Sequence, residues 1–366
     1  ILILFLTKFS RLAEYGSDIA AQIIIAIYLF YLFEILFNDK LSNIQKKLYY
    51  KISIILIIFA VTLKFILVIY SLFFISVLFL IKNDIFYEIL CSRFLIFGSL
   101  SVIIFIFFNY SSTGCLIYPI EKTCLENLKW SLSKELVQYM NFHYEIWAKG
   151  GKGPGFIVND QESYVQFFNW ISHWYHNYFL GKVTDYLLTT FLIIFIFLLF
   201  FLKEIKINKK DFLNSNKQYF IFYSLTITIF LLWFINFPTL RYAGYIIVYL
   251  LIIFPFIIFI NKRVNLHDKL SLKKLSIIFL ISFSVFLFKN ISRLNSELNI
   301  PITNNHNFNN FPFYWLDEVN YDVKYISDYK VFLTKGMCWN IPSVCVRGVE
   351  GFQSYKKNGY IFYYTK

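Results

Sequence analysis

The chain has 366 residues, of which 58% are hydrophobic and 16% are charged, and its mean hydropathy is +0.57. Charged residues make up about 25% of ordinary soluble domains, so this composition excludes a soluble enzyme, a disordered chain and a collagen-like fibre. It predicts an all-α polytopic membrane protein. The 35 Lys and Arg residues exceed the 22 Asp and Glu residues, giving a net charge of +13, which in such a protein indicates basic cytoplasmic loops rather than nucleic-acid binding.

Seven apolar blocks follow one another along the chain, and most have the length of about 20 residues that crosses the hydrocarbon of a bilayer. Because the sequence begins at Ile1 without Met, we expect a fragment in which residues 1–5 end an earlier span. The second block is too long for one helix and contains Lys64, so we interpret it as two short spans that turn near this lysine. The prediction is therefore about eight transmembrane helices. The blocks cover 19–37, 52–81, 94–110, 186–202, 220–237, 244–260 and 275–289.

The basic loops predict the orientation of these spans. With eight spans, lysine-rich loops at 40–51, 203–217 and 262–274 face the same side, which the positive-inside rule identifies as the cytoplasm. The loop 111–185 and the C-terminal tail then face the outside. The abundance of Ile, Phe, Lys and Asn is typical of an AT-rich genome, so we expect the inner (plasma) membrane of a bacterium.

This arrangement predicts four regions. Residues 1–110 and 186–289 form two sets of transmembrane helices. Residues 111–185 form an extracytoplasmic loop with amphipathic or interfacial helices, and 290–366 form a small α+β cap outside the membrane. In the cap, the runs 330–333 and 360–364 are strand-like.

The loop 111–185 predicts two helices. The first, over 123–149, is amphipathic, and the glycine-rich stretch 150–155 after it indicates a turn. Asn159 or Asp160 caps the second helix, whose aromatic residues have helical spacing and favour a position in the membrane interface. These residues are Tyr164, Phe167, Phe168, Ile171, Trp174, Tyr175 and Tyr178.

Four of the five cysteines form two close pairs in regions that we assign to the outside. Cys115 and Cys124 bracket one short polar loop, and Cys338 and Cys345 bracket another. Disulfides form in oxidising compartments, so we predict one within each pair. A zinc site would require Cys-x-x-Cys spacing with matching histidines, which neither pair has.

A few polar residues near the predicted membrane surface are candidates for chemistry. Arg241 lies in the short outer link 237–245, where its guanidinium could bind a phosphate or make an ordinary headgroup contact. Lys64 is an ionisable residue at membrane depth. His173 and His176, with His143 upstream, allow a metal site but also suit unliganded surface histidines.

Three short motifs resemble the GT-C superfamily of integral-membrane glycosyltransferases, especially the bacterial protein mannosyltransferase and aminoarabinose transferase branch. They are Lys64-Phe-Ile-Leu, the span exit from Asn109 through Gly114 to Tyr118-Pro119, and Arg241-Tyr242 at the start of a span. The resemblance covers about 50–290. The stretch 11–18 and the Cys-Trp-Asn-x-Pro motif at 338–342 also resemble a group of bacterial envelope membrane proteins.

The resemblance implies transfer of a sugar from a polyprenyl-phosphate donor to a cell-envelope glycan or lipid on the outer face of the membrane. Arg241, Tyr242, Lys64 and Tyr118 would bind the lipid phosphate or substrate, and a carboxylate would act as general base. The resemblance implies no definite cofactor, although a divalent cation would be compatible with the reaction. The acidic residue of the superfamily lies in the first outer loop, where no convincing counterpart stands here, so we expect the base upstream of Ile1.

Two other functions fit a multi-span protein with a large outer loop. A polysaccharide polymerase or ligase of the O-antigen type relies on arginines in such loops, whereas 111–185 contains none. A transporter or a scaffold would not be an enzyme at all. Transporters often have spans broken by Gly or Pro, and here the spans hold little of either beyond Gly98 and Pro255.

Overall fold

The computed structural model describes most of the chain in long stretches and the C-terminal region in short ones. The predicted end of a span at 1–5, most of the two later basic loops and Cys91 lie outside the described residues. The described residues are 17–38, 41–78, 92–153, 156–201, 216–261, 272–302, 307–310, 320–326, 329–335, 338, 341–342, 344–346, 348, 352–357 and 359–365.

The chain divides into two compact units. The first consists of Ile1–Phe105 and Phe142–Leu287, and the second of Ile106–Asn141 and Phe288–Lys366. Within the described residues, five helices are long and apolar enough to cross a membrane, and two shorter apolar helices accompany them. The prediction of a helical membrane protein with a small β region is thus confirmed at this level. The five helices are Asp18–Phe37, Arg93–Thr113, Ile171–Ile196, Gln218–Asn236 and Ser276–Leu298, and the shorter ones are Phe65–Phe74 and Leu240–Phe256.

The first unit begins with an antiparallel pair of helices. Helix α1 spans Asp18–Phe37, and helix α2 spans Asn43–Leu63. Asp18 lies in the first turn of α1, where a negative charge interacts favourably with the helix dipole. Ser42 and Gln45 form a reciprocal capping box that fixes the start of α2.

The chain turns back at Lys64, as the sequence predicts. Lys64 is extended (φ −153°, ψ 106°) and separates α2 from a 3-10 segment, Phe65–Ser71, which continues as helix α3, Leu72–Leu78. The returning segment packs back along both preceding helices: Tyr28 donates a hydrogen bond of 3.3 Å to the carbonyl of Tyr70. The rings of Tyr50 and Phe74 lie 6.5 Å apart.

The helix α4, Arg93–Thr113, is followed by the helix α5, Lys134–Ala148. The predicted amphipathic helix therefore begins at Lys134 and not at Thr123, because a loop that starts with the disulfide-closed segment 115–124 comes first. A short hairpin of strands β1, Lys152–Gly153, and β2, Phe156–Ile157, occupies the glycine-rich turn.

The predicted aromatic helix over 160–178 is broken into two pieces, and this part of the prediction is wrong. Asp160 caps helix α6, Gln161–Val165, by accepting a hydrogen bond of 3.1 Å from the backbone of Ser163. Phe167 then adopts a positive φ of 49°, which ends the helical run. As a result the aromatic residues do not share one face: Phe167 is 89% exposed, whereas Trp174 is buried.

The helical chain resumes with α7, Ile171–Trp174, and continues through a π-helical segment, Tyr175–Val183, into α8, Thr184–Phe201. Helices α9, Asn216–Asn236, and α10, Tyr245–Asn261, form a second antiparallel hairpin joined by the link 237–244. Aromatic side chains fill the space between the two hairpins. Phe222 lies 4.5 Å from Phe73 and 4.9 Å from Phe254, measured between ring centroids.

Helix α11 spans Leu272–Leu298. The C-terminal residues form two small sheets, which agree with the predicted strand-like runs. In one, β3 (Asp322–Ile326) pairs antiparallel with β4 (Tyr329–Leu333), which pairs in parallel with β5 (Cys345–Val346). In the other, β6 (Phe352–Lys357) pairs antiparallel with β7 (Tyr360–Thr365).

Candidate functional site

Three segments that are far apart in the chain meet at one end of the two hairpins of the first unit. They are the start of α1, the turn at Lys64 after α2, and the link between α9 and α10. Ser17 at the start of α1 donates a hydrogen bond of 3.1 Å to the carbonyl of Leu63 at the end of α2. Gln22, one turn into α1, donates to the carbonyl of Arg241 at 3.2 Å. These contacts hold the three segments together.

The carboxylate of Asp18 lies between two cations. Its Oδ1 accepts a hydrogen bond from Nζ of Lys64, and its Oδ2 accepts one from Nε of Arg241. Nζ of Lys64 also lies 3.4 Å from the carbonyl oxygen of Arg241. Hydrogen bonds between ionised partners are the strong ones in proteins, so these three side chains form a fixed ionic cluster, which we name the Asp18 cluster.

The members of the Asp18 cluster differ in their exposure to solvent. The side chains of Asp18 and Lys64 are 16% and 15% exposed, whereas that of Arg241 is 53% exposed. Arg241 is thus the member through which an anion from outside could reach the cluster.

The link that presents Arg241 has an irregular backbone. Tyr242 (φ −94°, ψ 75°) is not helical, and Ala243 adopts a left-handed φ of 69°, which is uncommon for residues other than glycine. Gly244 follows, and a Cβ at this position would come within 2.4 Å of the Trp233 ring. The close approach of the ring explains why glycine stands there.

Side chains from the surrounding helices form hydrogen bonds with the backbone of most residues of this link. A buried irregular backbone requires such partners, because an unpaired buried N–H or C=O group costs free energy. The indole nitrogens of Trp174 and Trp233 donate to the carbonyls of Pro238 and Thr239 at 2.8 and 3.0 Å. The hydroxyl of Tyr178 accepts from the backbone nitrogen of Leu240 at 2.8 Å.

The second half of the link is held in the same way. Gln22 donates to the carbonyls of both Leu240 and Arg241. The hydroxyl of Tyr70 donates to the carbonyl of Ala243 at 2.6 Å, and that of Tyr186 to the carbonyl of Tyr245 at 2.6 Å. This frame fixes the backbone at Arg241 and so fixes the origin of its side chain.

Aromatic rings line one side of the Asp18 cluster. Nζ of Lys64 lies 4.4 Å from the centroid of the Tyr242 ring, which is a cation–π contact. The ring of Trp147, on α5, lies 5.8 Å from that of Tyr242, and Phe237 meets Tyr242 edge-on at 6.2 Å. The cluster therefore combines charge with apolar ring surface.

The structure brings together three of the four residues that the sequence singles out for substrate binding. Lys64, Arg241 and Tyr242 belong to the cluster or touch it. Asp18 completes it, although the sequence gives this residue no firm role. Its position at the start of an apolar block, on the side opposite to the lysines at 40–51, was the signal that could have selected it.

The fourth residue, Tyr118, belongs to the second unit. It packs against the disulfide between Cys115 and Cys124, next to Val137, and its peptide bond to Pro119 is cis. Its role in substrate binding stays a prediction. The second predicted disulfide, Cys338–Cys345, is also present, so the prediction of both cysteine pairings is confirmed.

The described residues include no group of three or more His, Cys, Asp or Glu side chains that could hold a metal ion. Asn177 Nδ2 lies 2.9 Å from a ring nitrogen of His173, one of the histidines that the sequence suggests as a ligand. In the Asp18 cluster the single carboxylate already contacts two cations. This donor set does not fit a divalent cation, which prefers several oxygen ligands.

Comparison with known proteins identifies the family but not an activity. A family model described as Domain of unknown function (DUF8201) matches residues 1–248. The chain therefore belongs to this family, and the matched region contains Asp18, Lys64, Arg241 and Tyr242. No match was found among curated proteins or among solved structures.

Proposed function

We propose that this protein binds a polyprenyl-phosphate-linked sugar at the Asp18 cluster and transfers the sugar to a cell-envelope glycan or lipid. The observation that supports this most directly is the convergence of Lys64 and Arg241 on one carboxylate, with half of the Arg241 side chain exposed. A lipid phosphate needs cations beside an apolar surface, and the cluster lies at the ends of apolar helices next to the rings of Tyr242 and Phe237.

The residues of the cluster suit the roles that such a transfer requires. Arg241 offers a planar set of donors, and Lys64 offers a point charge, to the phosphate of the donor lipid. Asp18 is the carboxylate beside them, and we assign it the role of general base. It takes the proton of the acceptor hydroxyl as the hydroxyl oxygen bonds to the anomeric carbon. The bond from that carbon to the phosphate oxygen breaks, and the phosphate leaves with the electron pair.

We also propose eight transmembrane spans, with the Asp18 cluster on the outer side of a bacterial inner membrane. The cluster lies at the start of α1 and the end of α2, whereas Lys46, Lys47 and Lys51 lie in the first half of α2, towards its opposite end. The positive-inside rule assigns the lysine-rich end to the cytoplasm. A membrane-impermeant maleimide should label a cysteine introduced at Glu126 in intact cells, and one introduced at Lys47 only after lysis. The reverse pattern would contradict this orientation.

A binding experiment tests the proposed site. The purified protein in nanodiscs should bind decaprenyl phosphate, and Arg241→Ala should weaken binding by about tenfold or more, since a charge-assisted contact contributes about 1.5–3 kcal/mol. Lys134→Ala is the matched control, because Lys134 pairs with Glu126 on the exposed surface. Equal binding by the wild type and Arg241→Ala would contradict the proposal.

A transfer experiment tests the reaction. In cells that make the glycan, Arg241→Ala and Asp18→Asn should each abolish transfer, measured per amount of protein in the membrane. Arg241→Lys should retain part of the activity, because it keeps the charge and loses the planar set of donors. Unchanged transfer by Arg241→Ala would refute the role that we give to this residue.

A further inference from the structure

Trp147 differs from the other tryptophans that the structure describes. The indole nitrogens of Trp130 and Trp170 donate to the backbone carbonyls of Tyr110 and Phe167. Those of Trp174 and Trp233 donate to the link 237–244. Among the described residues, the indole nitrogen of Trp147 has no such partner. The first four tryptophans thus have structural hydrogen bonds, whereas this donor remains available for a ligand.

Trp147, which carries this indole N–H, lies near the Asp18 cluster. Its side chain is partly exposed, and its ring lies 5.8 Å from that of Tyr242, over which the ammonium of Lys64 sits. Only the Tyr242 ring therefore separates the Trp147 ring from the ammonium of Lys64, so a ligand bound at the Asp18 cluster could extend to Trp147.

The helix around Trp147 holds it firmly. Its neighbours Ile146, Ala148 and Lys149 are all buried. The carbonyl of Lys149 accepts a hydrogen bond of 2.8 Å from the hydroxyl of Tyr164. A Cβ on Gly151 would come within 2.5 Å of the same Tyr164 ring. The partly exposed ring of Trp147 is thus attached to a closely packed backbone. This packing lowers the entropy cost of binding a ligand to the ring.

We propose that Trp147 is a specificity-determining residue that stacks on the pyranose or furanose ring of the transferred sugar and donates its indole N–H to a sugar hydroxyl. The C–H faces of a sugar ring are apolar and its edges are hydroxylated, so a ring with one donor at its edge matches both. This inference rests on the proposed function, and it adds that the site recognises the sugar separately from the lipid phosphate. The sugar could belong to the donor or to the acceptor, since both present the same chemistry.

The test compares lipids with and without a sugar. Wild type, Trp147→Ala and Trp147→Phe in nanodiscs would be titrated with decaprenyl phosphate, with decaprenyl phosphates carrying mannose, glucose or arabinose, and with the methyl glycosides of these sugars. Trp147→Ala should weaken binding of the preferred sugar lipid by about tenfold, the effect of losing one stacking contact and one hydrogen bond. The same variant should change the affinity for decaprenyl phosphate less than about twofold. Trp147→Phe keeps the stacking, so its affinity for the sugar lipid should lie between those of the wild type and Trp147→Ala.

The controls separate this inference from the proposed function. Tyr139→Ala, at an exposed aromatic residue of the same helix, should bind all ligands as the wild type does. If Trp147→Ala weakens binding of the sugar lipids but not of decaprenyl phosphate, Trp147 contacts the donor sugar. If it weakens binding of the methyl glycosides alone, Trp147 contacts the acceptor.

If Trp147→Ala binds every sugar ligand as the wild type does, or loses sugar lipid and decaprenyl phosphate equally, the inference is overturned while the phosphate site stands. If the wild type binds no decaprenyl phosphate, the proposed function fails. Binding of methyl glycosides that depends on Trp147 would then still support a sugar site. If no ligand binds, both are refuted.

Discussion

The carboxylate of Asp18 accepts a hydrogen bond from the guanidinium of Arg241, a residue 223 positions further along the chain. Lys64 binds the other oxygen of the same carboxylate. The ion pair links the first helix that the structure describes to the hairpin of α9 and α10, so the Asp18 cluster forms only when both hairpins have packed. A substitution that breaks the Asp18 cluster should therefore affect both the stability of the fold and the candidate site.

Asp18→Asn should destabilise the protein, because it leaves Lys64 and Arg241 as two neighbouring cations without a counter-charge. Breaking a fully buried pair costs about 3–5 kcal/mol. Arg241 is half exposed, which screens the repulsion, so we expect about 1–3 kcal/mol. Thermal unfolding in detergent would show this as a lower Tm.

The matched control for Asp18→Asn is Glu126→Gln. It removes one partner of the exposed pair between Lys134 and Glu126, whose atoms are 3.2 Å apart. Exposed pairs contribute about 0–1 kcal/mol, so its Tm should stay close to that of the wild type. Equal Tm values for Asp18→Asn and Glu126→Gln would show that the Asp18 cluster does not stabilise the fold.

Gly244→Ala should distort the link that presents Arg241. The added Cβ would lie 2.4 Å from Cζ2 of Trp233, whose ring is almost fully buried and cannot move aside. Overpacking of this kind costs about 1–3 kcal/mol. We expect a lower Tm and a shifted tryptophan emission.

Gly181→Ala is the control for the glycine substitution. A Cβ at Gly181 would meet nothing within 4 Å, and alanine favours helix over glycine by about 1 kcal/mol. Its Tm should equal or exceed that of the wild type. A fall as large as that of Gly244→Ala would mean that glycine at these positions serves backbone flexibility and not the close approach of a ring.

The sequence predicts the class of helical membrane protein and the turn at Lys64, because long apolar blocks and a lysine within one of them are local signals. The number of spans stays a proposal, since five helices of sufficient length are found among the described residues. The sequence places the start of α5 wrongly, since a loop that begins with the disulfide-closed segment 115–124 precedes the helix. The break at Phe167 has no local signal: the spacing of the aromatic residues is helical across it.

The candidate site divides in the same way. Lys64 and Arg241 could be selected because a charge near the membrane is costly. The partner role of Asp18 depends on a contact 223 positions away, which a single sequence does not reveal. The hydrogen bonds that join Trp174, Tyr178 and Tyr70 to the link are equally non-local. In the sequence these residues look like ordinary interfacial aromatics.

Tyr70→Phe tests whether the link needs its side-chain partners. The substitution removes only the hydroxyl that donates to the carbonyl of Ala243 at 2.6 Å, in a fully buried place. Leaving a buried carbonyl unpaired costs about 1–3 kcal/mol, so the Tm should fall. Tyr175→Phe removes the hydroxyl of a tyrosine that is 42% exposed and should leave the Tm unchanged. If both variants match the wild type, Tyr70 does not hold the link.

Both disulfides should be present in the protein isolated from membranes, and they test the orientation independently of the charge rule. Disulfides persist in oxidising compartments and are rare in the cytosol, so Cys115–Cys124 and Cys338–Cys345 predict that both segments face outward. Alkylation in denaturant followed by mass spectrometry should find these four cysteines unmodified without reductant and modified after dithiothreitol. Free thiols at Cys115 and Cys124 in the native membrane would instead place that loop in a reducing compartment and contradict the outward orientation of the Asp18 cluster.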